Sequence, residues 1–337
     1  MDLRTQYLGL ALAHPLVASA SPLWLELGNI RWLEDAGAAA VVLPSIFEEQ
    51  IEAEVQEVER LVRAGADSTG EAQSYFPSSA AYRTGTDGYL DLIRRAREAV
   101  DMPVIASLNG VTASGWTRYA REVQQAGASA IELNVYFVPS DLSLAGAQVE
   151  QRYADVLGAV KRAVSIPVAM KLSPYFSAVG HTVRALDECG ADGFVLFNRF
   201  YQPDIDLVEL RLRRDLILSA PSEIRLPLLW LGVLAGQVRG SLAASTGVET
   251  ADEVIKYLLV GADVVMTTSA LLRHGVGYMQ TLLDGLTNWL DARNIDAVSR
   301  IRGRMSRRAL PDAAAFERAN YITILQSDHH ASGVTRG

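Results

Sequence analysis

Cysteine is almost absent: Cys189 stands alone among 337 residues. That excludes an intrachain disulfide framework and any multi-cysteine zinc or iron-sulfur site within the chain, and it fits a reducing cytoplasm. Long hydrophobic runs are missing too. The most apolar stretch, 226–236, is far shorter than the roughly 18 residues a membrane span needs. The N-terminal MDLRTQYLGLALAHP has no basic region followed by a long apolar one, so neither export nor a membrane is expected. Positive charge is in deficit, with 31 Lys and Arg against 39 Asp and Glu, a net charge of −8 and a pI near 5.3. Nucleic acid selects clustered Lys and Arg and is not an expected partner; a small molecule is. No metal site is expected either, because the pair His329-His330 has nothing nearby to complete a coordination set.

What the chain does have is a recurring phrase. DAGAAAVVLPS (35–45), QAGASAIELNV (125–135), ECGADGFVLFN (188–198) and VGADVVMTTS (260–269) each place Gly after an amphipathic segment, where a left-handed helix C-cap wants it, and then a short apolar strand. VDMPVIASLNG (100–110) and VSIPVAMKLSP (164–174) do the same with Pro as the helix stop. With HPLVASASP (14–22) and RGSLAAST (239–246) they make candidate strands ending near Ser21, Ser45, Asn109, Asn134, Ser173, Asn198, Thr246 and Ser269. Helical stripes lie between them, the clearest over 149–164 with Val149, Tyr153, Val156, Leu157, Val160 and Val164 on one side. Strand and helix alternate throughout, which predicts an α/β chain folded as a (β/α)8 TIM barrel. The expected embellishments are an N-terminal extension (roughly 2–13) and insertions after strands 2 and 4. A doubly wound sheet competes, but the Gly-rich first turn it usually carries is missing after HPLVASASP. With no linker in view, 1–337 reads as a single domain, with a disordered tail from about 326.

In such a barrel the chemistry sits at the carboxyl ends of the strands, and alternation decides which side chains face the lumen. Ser107 and Asn109 share a face, as do Glu132 and Asn134, Lys171 and Ser173, and Leu196 and Asn198. Three amides and an ammonium therefore line one rim, although Lys171 could simply pair with Glu132. A second cluster follows strands 7 and 8. Thr250 and Glu253 have capping-box spacing, so a helix starts there after the turn Ser245-Thr246-Gly247, and Thr267, Thr268 and Ser269 repeat the arrangement. Loops in these positions bind phosphate in many barrels through backbone N–H groups and the helix dipole. A phosphorylated ligand such as flavin mononucleotide would suit both clusters, with Lys171 stabilising negative charge on the reduced ring. The other chemistry open to Lys171 is Schiff-base formation, as in a lyase or aldolase.

The series HPLVASASP, SAIELNV, PVAMKLSPYF, LFNRF, STGVETADEVIKYLLVGADVVM and TSALLRHG resembles the soluble class of dihydroorotate dehydrogenases over nearly the whole chain, most specifically in ELN and KLSPYF. The resemblance implies a flavin-mononucleotide barrel that oxidises dihydroorotate to orotate in pyrimidine biosynthesis. It implies that Ser19, Ala20 and Ser21 lie against the flavin and that Asn109, Asn134 and Asn198 contact flavin or substrate. Lys171 would serve the flavin N1/O2 edge, and Ser245, Thr246, Gly247, Thr268 and Ser269 the phosphate. It also implies a homodimer, and in one branch of the family a separate iron-sulfur electron-transfer subunit.

The departures are specific. Leu43-Pro44-Ser45 stands where the family's second strand has a Lys-Ser pair, and Phe137 stands where its Cys or Ser base should be. The substrate loop with its asparagines is reduced to Gln73-Ser74-Tyr75-Phe76-Pro77, and the phosphate glycines are partly Thr246 and Thr268. Replacement bases would come from the loop after strand 4, Tyr136, Ser143 and above all Ser140. A non-catalytic flavin-binding barrel is the remaining alternative. His181 reads as a surface or capping residue, Cys189 as a core cysteine, and Trp116 and Trp230 as packing.

Overall fold

A computed structural model of the chain describes residues 1–50, 85–112, 116–199, 203–213 and 217–311. Eight parallel strands close a barrel: β1 (Leu16–Ala18), β2 (Val41–Phe47), β3 (Val104–Asn109), β4 (Ala130–Asn134), β5 (Val168–Leu172), β6 (Gly193–Leu196), β7 (Ser241–Ala244) and β8 (Val264–Thr267). Each strand pairs with the next, and β8 pairs with β1 to complete the (β/α)8 ring. The helices that alternate with them are α1 (Leu27–Asp35), α2 (Thr86–Ala99), α3 (Trp116–Gln125), α4 (Gly146–Ala163), α5 (Val179–Glu188), α6 (Arg225–Leu234), α7 (Ala251–Val260) and α8 (Tyr278–Asp291).

The punctuation works as the local chemistry requires. Gly127 and Gly190 take φ of 99° and 95° just past α3 and α5, a conformation that costs a side-chain-bearing residue about 1 kcal/mol, and the chain turns there into β4 and β6. Thr250 caps α7 in a full capping box with Glu253. The stripe on α4 is buried at Tyr153, Val156, Leu157 and Val160, as the periodicity expects.

Strand alternation sorts the apolar residues into two layers. Ile131, Leu133, Met170 and Leu172 face the helices, while Val17, Val42, Ile105, Ala169, Val195, Ala243 and Met266 fill the lumen. The N-terminal extension is an antiparallel hairpin, Thr5–Tyr7 with Leu10–Leu12, whose Tyr7, Leu8 and Leu12 join that luminal cluster from below. Burying each of these side chains is worth about 1.5–3 kcal/mol. The fit is close: a Cβ on Gly193 would lie 2.6 Å from the Leu8 side chain. The hairpin thus plugs the amino end of the lumen, and among the described residues it is the carboxyl rim that is open to a ligand.

Several expectations need correction. Leu196 and Asn198 do not share a face. The strand ends at Leu196, which packs outward, and Asn198 reaches the rim from the loop beyond. Cys189 is exposed rather than core, because it caps α5 where the chain leaves the helix toward Gly190. Besides the expected insertions after strands 2 and 4 there is a third after β6, carrying a hairpin in which Asp204–Asp206 pairs with Arg211–Arg213. His181 is exposed, Trp116 fully buried and Trp230 packed partly against the core. The loop at Gln73–Pro77, the pair His329-His330 and the tail from about 326 lie outside the described residues. Among the described residues no helix is long and apolar enough to cross a membrane.

Candidate active site

The carboxyl rim holds one connected polar arc. Ser45 and Ser107 hydroxyls meet at 2.8 Å, Asn134 Nδ2 donates to Ser107 Oγ at 3.1 Å, and Asn198 Nδ2 donates to Asn134 Oδ1 at 3.3 Å. Ser45 reaches this line because β2 carries one extra residue between Val42 and Ser45 relative to β3. Pro44 sits in that bulge, where a residue without an N–H costs no ladder bond. Tyr89 of α2 inserts beneath, its hydroxyl accepting from the Ser107 N–H at 2.9 Å, and burial pushes that hydroxyl's pKa up.

Beside the arc, Lys171 Nζ donates to Glu132 Oε1 at 3.1 Å, with side-chain exposures of 10% and 1%. The pairing that the sequence left open is therefore made. Glu132 Oε2 is buried and has no hydrogen-bond partner among the described residues. Below it, burial together with the charges of Glu132 and Asp263 raises the Tyr7 hydroxyl well above its ordinary pKa, so Tyr7 stays neutral. The side-chain amide of Asn109, only 8% exposed at the end of β3, bonds none of the described residues and is free for a ligand.

A cavity of about 140 Å³ runs from Lys171 and Asn198 past Ser19 and Met266 to Ser245, Thr246, Gly247, Thr268 and Ser269. Its far end is a cradle in which Thr246 and Gly247 both take left-handed φ, 84° and 75°. A Cβ on Gly247 would meet Ile224 at 2.6 Å and the Ala220 carbonyl at 2.9 Å, so the turn is packed too tightly for another residue.

The hub of the cradle is Ser219, which the sequence reading missed. Its Oγ accepts from the Gly247 N–H at 3.1 Å and meets Ser269 Oγ at 2.9 Å. Only the fold could reveal it, since LSAPSEI follows an irregular insertion and has no strand or helix period. Glu48 was missed for a similar reason: it is buried at the rim and accepts the Val111 and Thr112 N–H groups at 2.7 and 3.1 Å, with the Thr112 hydroxyl on its other oxygen.

The remaining expected site residues are placed differently. Ala20 and Ser21 do not line the cavity, and Ser21 Oγ accepts from the Leu23 N–H as the cap of a 3-10 turn. Phe137 is half-buried, with the Arg152 guanidinium 4.2 Å from its ring centre. Ser140 is exposed and its hydroxyl bonds none of the described residues, whereas Ser143 Oγ donates to Asp141 at 2.7 Å. Among the described residues no cluster of His, Cys, Asp or Glu could hold a metal ion.

Comparison with known proteins bears on this arrangement. The family model described as dihydroorotate dehydrogenase matches residues 80–290. The chain is 24% identical over 309 residues, 90% of its length and 98% of the relative's, to the dihydroorotate dehydrogenase B (NAD(+)) catalytic subunit of Thermoplasma acidophilum. It is 27% identical over 212 residues, 60% of this chain and 68% of the relative, to the protein of the same name from Shouchella clausii. A putative dihydroorotate dehydrogenase A (fumarate) of Aeropyrum pernix is 28% identical over 205 residues, 59% of this chain and 66% of the relative.

Proposed function

The chain belongs to the dihydroorotate dehydrogenase family, and from that premise we propose that it is a single-domain, flavin-mononucleotide-dependent oxidoreductase acting on dihydroorotate or a related reduced ring. The observation that carries this reading is the joining, in one cavity, of the inward Lys171 and Asn198 at one end to a hydroxyl-rich, left-handed turn at the other. The residues fit the cofactor. A ring has polar groups at its edge in Lys171, Asn109, Asn134 and Asn198, and a phosphate has the Ser245 hydroxyl and the backbone N–H groups of Thr246, Thr268 and Ser269 around the Gly247 turn. Ser19 lies along the wall between them; Ala20 and Ser21 support that wall from behind.

When bound, the flavin would accept hydride from a ring carbon of the substrate. The chain's own residues do the rest. The buried Lys171 ammonium, held in place by Glu132, stabilises negative charge at the ring edge. The amides of the arc orient the reacting faces, fixed by the Ser45–Ser107–Asn134–Asn198 chain. Hydride loss also requires that a proton leave the neighbouring carbon. Phe137 cannot take it, and Ser140, with its hydroxyl uncommitted on the same loop, is the group we assign. A Schiff-base lyase is disfavoured because the Lys171 amine is occupied by its ion pair. A non-catalytic flavin-binding subunit is favoured by one observation, Phe137 in place of the base.

The relatives' names include a catalytic subunit, and we infer that this chain also works in a cytoplasmic assembly: a homodimer with an iron-sulfur subunit as electron acceptor. The test is the visible spectrum of the purified protein and its response to dihydroorotate without oxygen. A yellow protein that bleaches supports the enzyme. A yellow protein inert to dihydroorotate and related reduced rings supports the binding subunit, and a colourless one that cannot be reconstituted with flavin mononucleotide ends both readings.

A further inference from the structure

At the phosphate end of the cavity the side chains are mostly committed, and the donors left over are neutral backbone N–H groups, those of Thr246, Val248, Thr268 and Ser269, which bond none of the described residues. The Gly247 N–H is bonded to Ser219 Oγ, the Thr268 hydroxyl donates to the Ser19 carbonyl at 2.8 Å, and the Thr246 hydroxyl donates to the Phe197 carbonyl at 3.2 Å. Two of the glycines that the resemblance would place here are threonines. A phosphate monoester nevertheless carries close to two negative charges at neutral pH and is held best by charge-assisted bonds. Of the residues lining the cavity, only Lys171 and Arg199 are cationic. Lys171 is bonded to Glu132, on the luminal side.

Arg199 follows Asn198 directly and is anchored to the segment that builds the cradle. Its Nε donates to Glu223 Oε1 at 3.0 Å and its Nη1 to the Ile217 carbonyl. The other Glu223 oxygen accepts from the Ala220 N–H at 2.6 Å, one residue from Ser219. The Nη2 group bonds none of the described residues, leaving its two N–H donors unused. The other charges nearby are already matched: Arg273 donates to the Ser219 carbonyl at 2.7 Å and pairs with Glu249, which also meets His274 at 2.6 Å.

We propose that Arg199 is the phosphate-recognising cation of this site: its free Nη2 group engages the ligand's phosphate while Glu223 holds Nε, so that a charge is added to the backbone cradle and the chain selects a phosphorylated flavin. This rests on the flavin reading above and adds a residue with a role in specificity. Planar guanidinium suits the task because it can keep a carboxylate on one edge and bind phosphate on another.

The test is direct titration of the full-length protein, freed of bound flavin, with flavin mononucleotide and with riboflavin, read by flavin fluorescence. The wild type should prefer flavin mononucleotide, and Arg199→Gln should weaken that ligand about 10- to 100-fold, the usual worth of a charge-assisted bond, while moving riboflavin less than about twofold. Arg199→Lys should recover part of the preference. Glu223→Gln should keep it, since it leaves the cation in place. Equal weakening of both flavins by Arg199→Gln, or no weakening, overturns the proposal. So does loss of the preference in Glu223→Gln, which would mean that the clamp merely orders residues 217–223. A wild type that binds both flavins alike refutes the role of Arg199 alone, whereas one that binds neither refutes the flavin reading and this inference with it.

Discussion

Replacing Lys171 by methionine asks whether the lysine exists for the ligand or for Glu132. In the folded protein the Glu132 carboxylate is 1% exposed, has its only counter-charge at 3.1 Å in Lys171, and carries a second oxygen with no partner among the described residues. Removing one member of such a buried pair leaves an uncompensated charge and costs about 3–5 kcal/mol, whereas replacing both with neutral groups of similar volume is often close to neutral. Lys171→Met should therefore lower stability by about that amount in urea unfolding, and Glu132→Gln/Lys171→Met should recover most of it. The double variant, still folded, then reports the lysine's other role. If Lys171 serves the ring edge, flavin mononucleotide should bind the double variant weakly and be reduced slowly; affinity and reduction equal to the wild type would show that the lysine is only a counter-ion. A single variant that loses less than about 1 kcal/mol, or a double variant no better than the sum of the singles, would refute the electrostatic argument itself.

Two other perturbations probe separate parts of the molecule. Phe137→Cys puts a proton acceptor at the position where the family carries its base, and dihydroorotate-dependent flavin bleaching should rise sharply; no change would mean that the proton leaves by another route, with Ser140→Ala then the variant that stops it. His14 lies buried next to β1, accepts the Leu16 N–H at 3.2 Å, and has its pKa lowered from 6.5 to about 4, chiefly by burial, with the Gly37 backbone pulling the other way. Because the unfolded chain binds the proton more readily, stability should be full above pH 6.5 and fall as the pH drops from there toward 4. Relative to His14→Gln, the wild type should lose roughly 2–3 kcal/mol between pH 7.5 and 4.5. A difference between the two proteins that does not vary with pH would exclude His14 as the titrating group.

The repeated helix-to-strand joints were legible because they are local: a glycine past α3 or α5 takes a left-handed φ whatever surrounds it, and Thr250 with Glu253 caps α7 within one turn. Once the barrel was inferred, the two-residue period of β3, β4 and β5 was enough to send Ser107, Asn134, Glu132 and Lys171 into the lumen. The family's signature residues lie on those same strands, so they were legible too.

Where regular backbone stops, the period stops predicting. Asn198 joins the arc from beyond the end of β6, not from the face that alternation assigns it, and Ser45 is turned inward only by the bulge at Pro44. Cys189 falls outside the core because the helix ends beneath it. Ser219 and Arg199 come from an irregular insertion and meet the β7 and β8 loops through contacts distant in the chain, as in the bond from Gly247 to Ser219. Sequence alone determined the barrel, its luminal cation and its family, since each depends on repeating local geometry. Which side chains surround a phosphate, and which donors are left to bind it, was decided by tertiary closure, because hydrogen-bond partners are chosen by proximity in space.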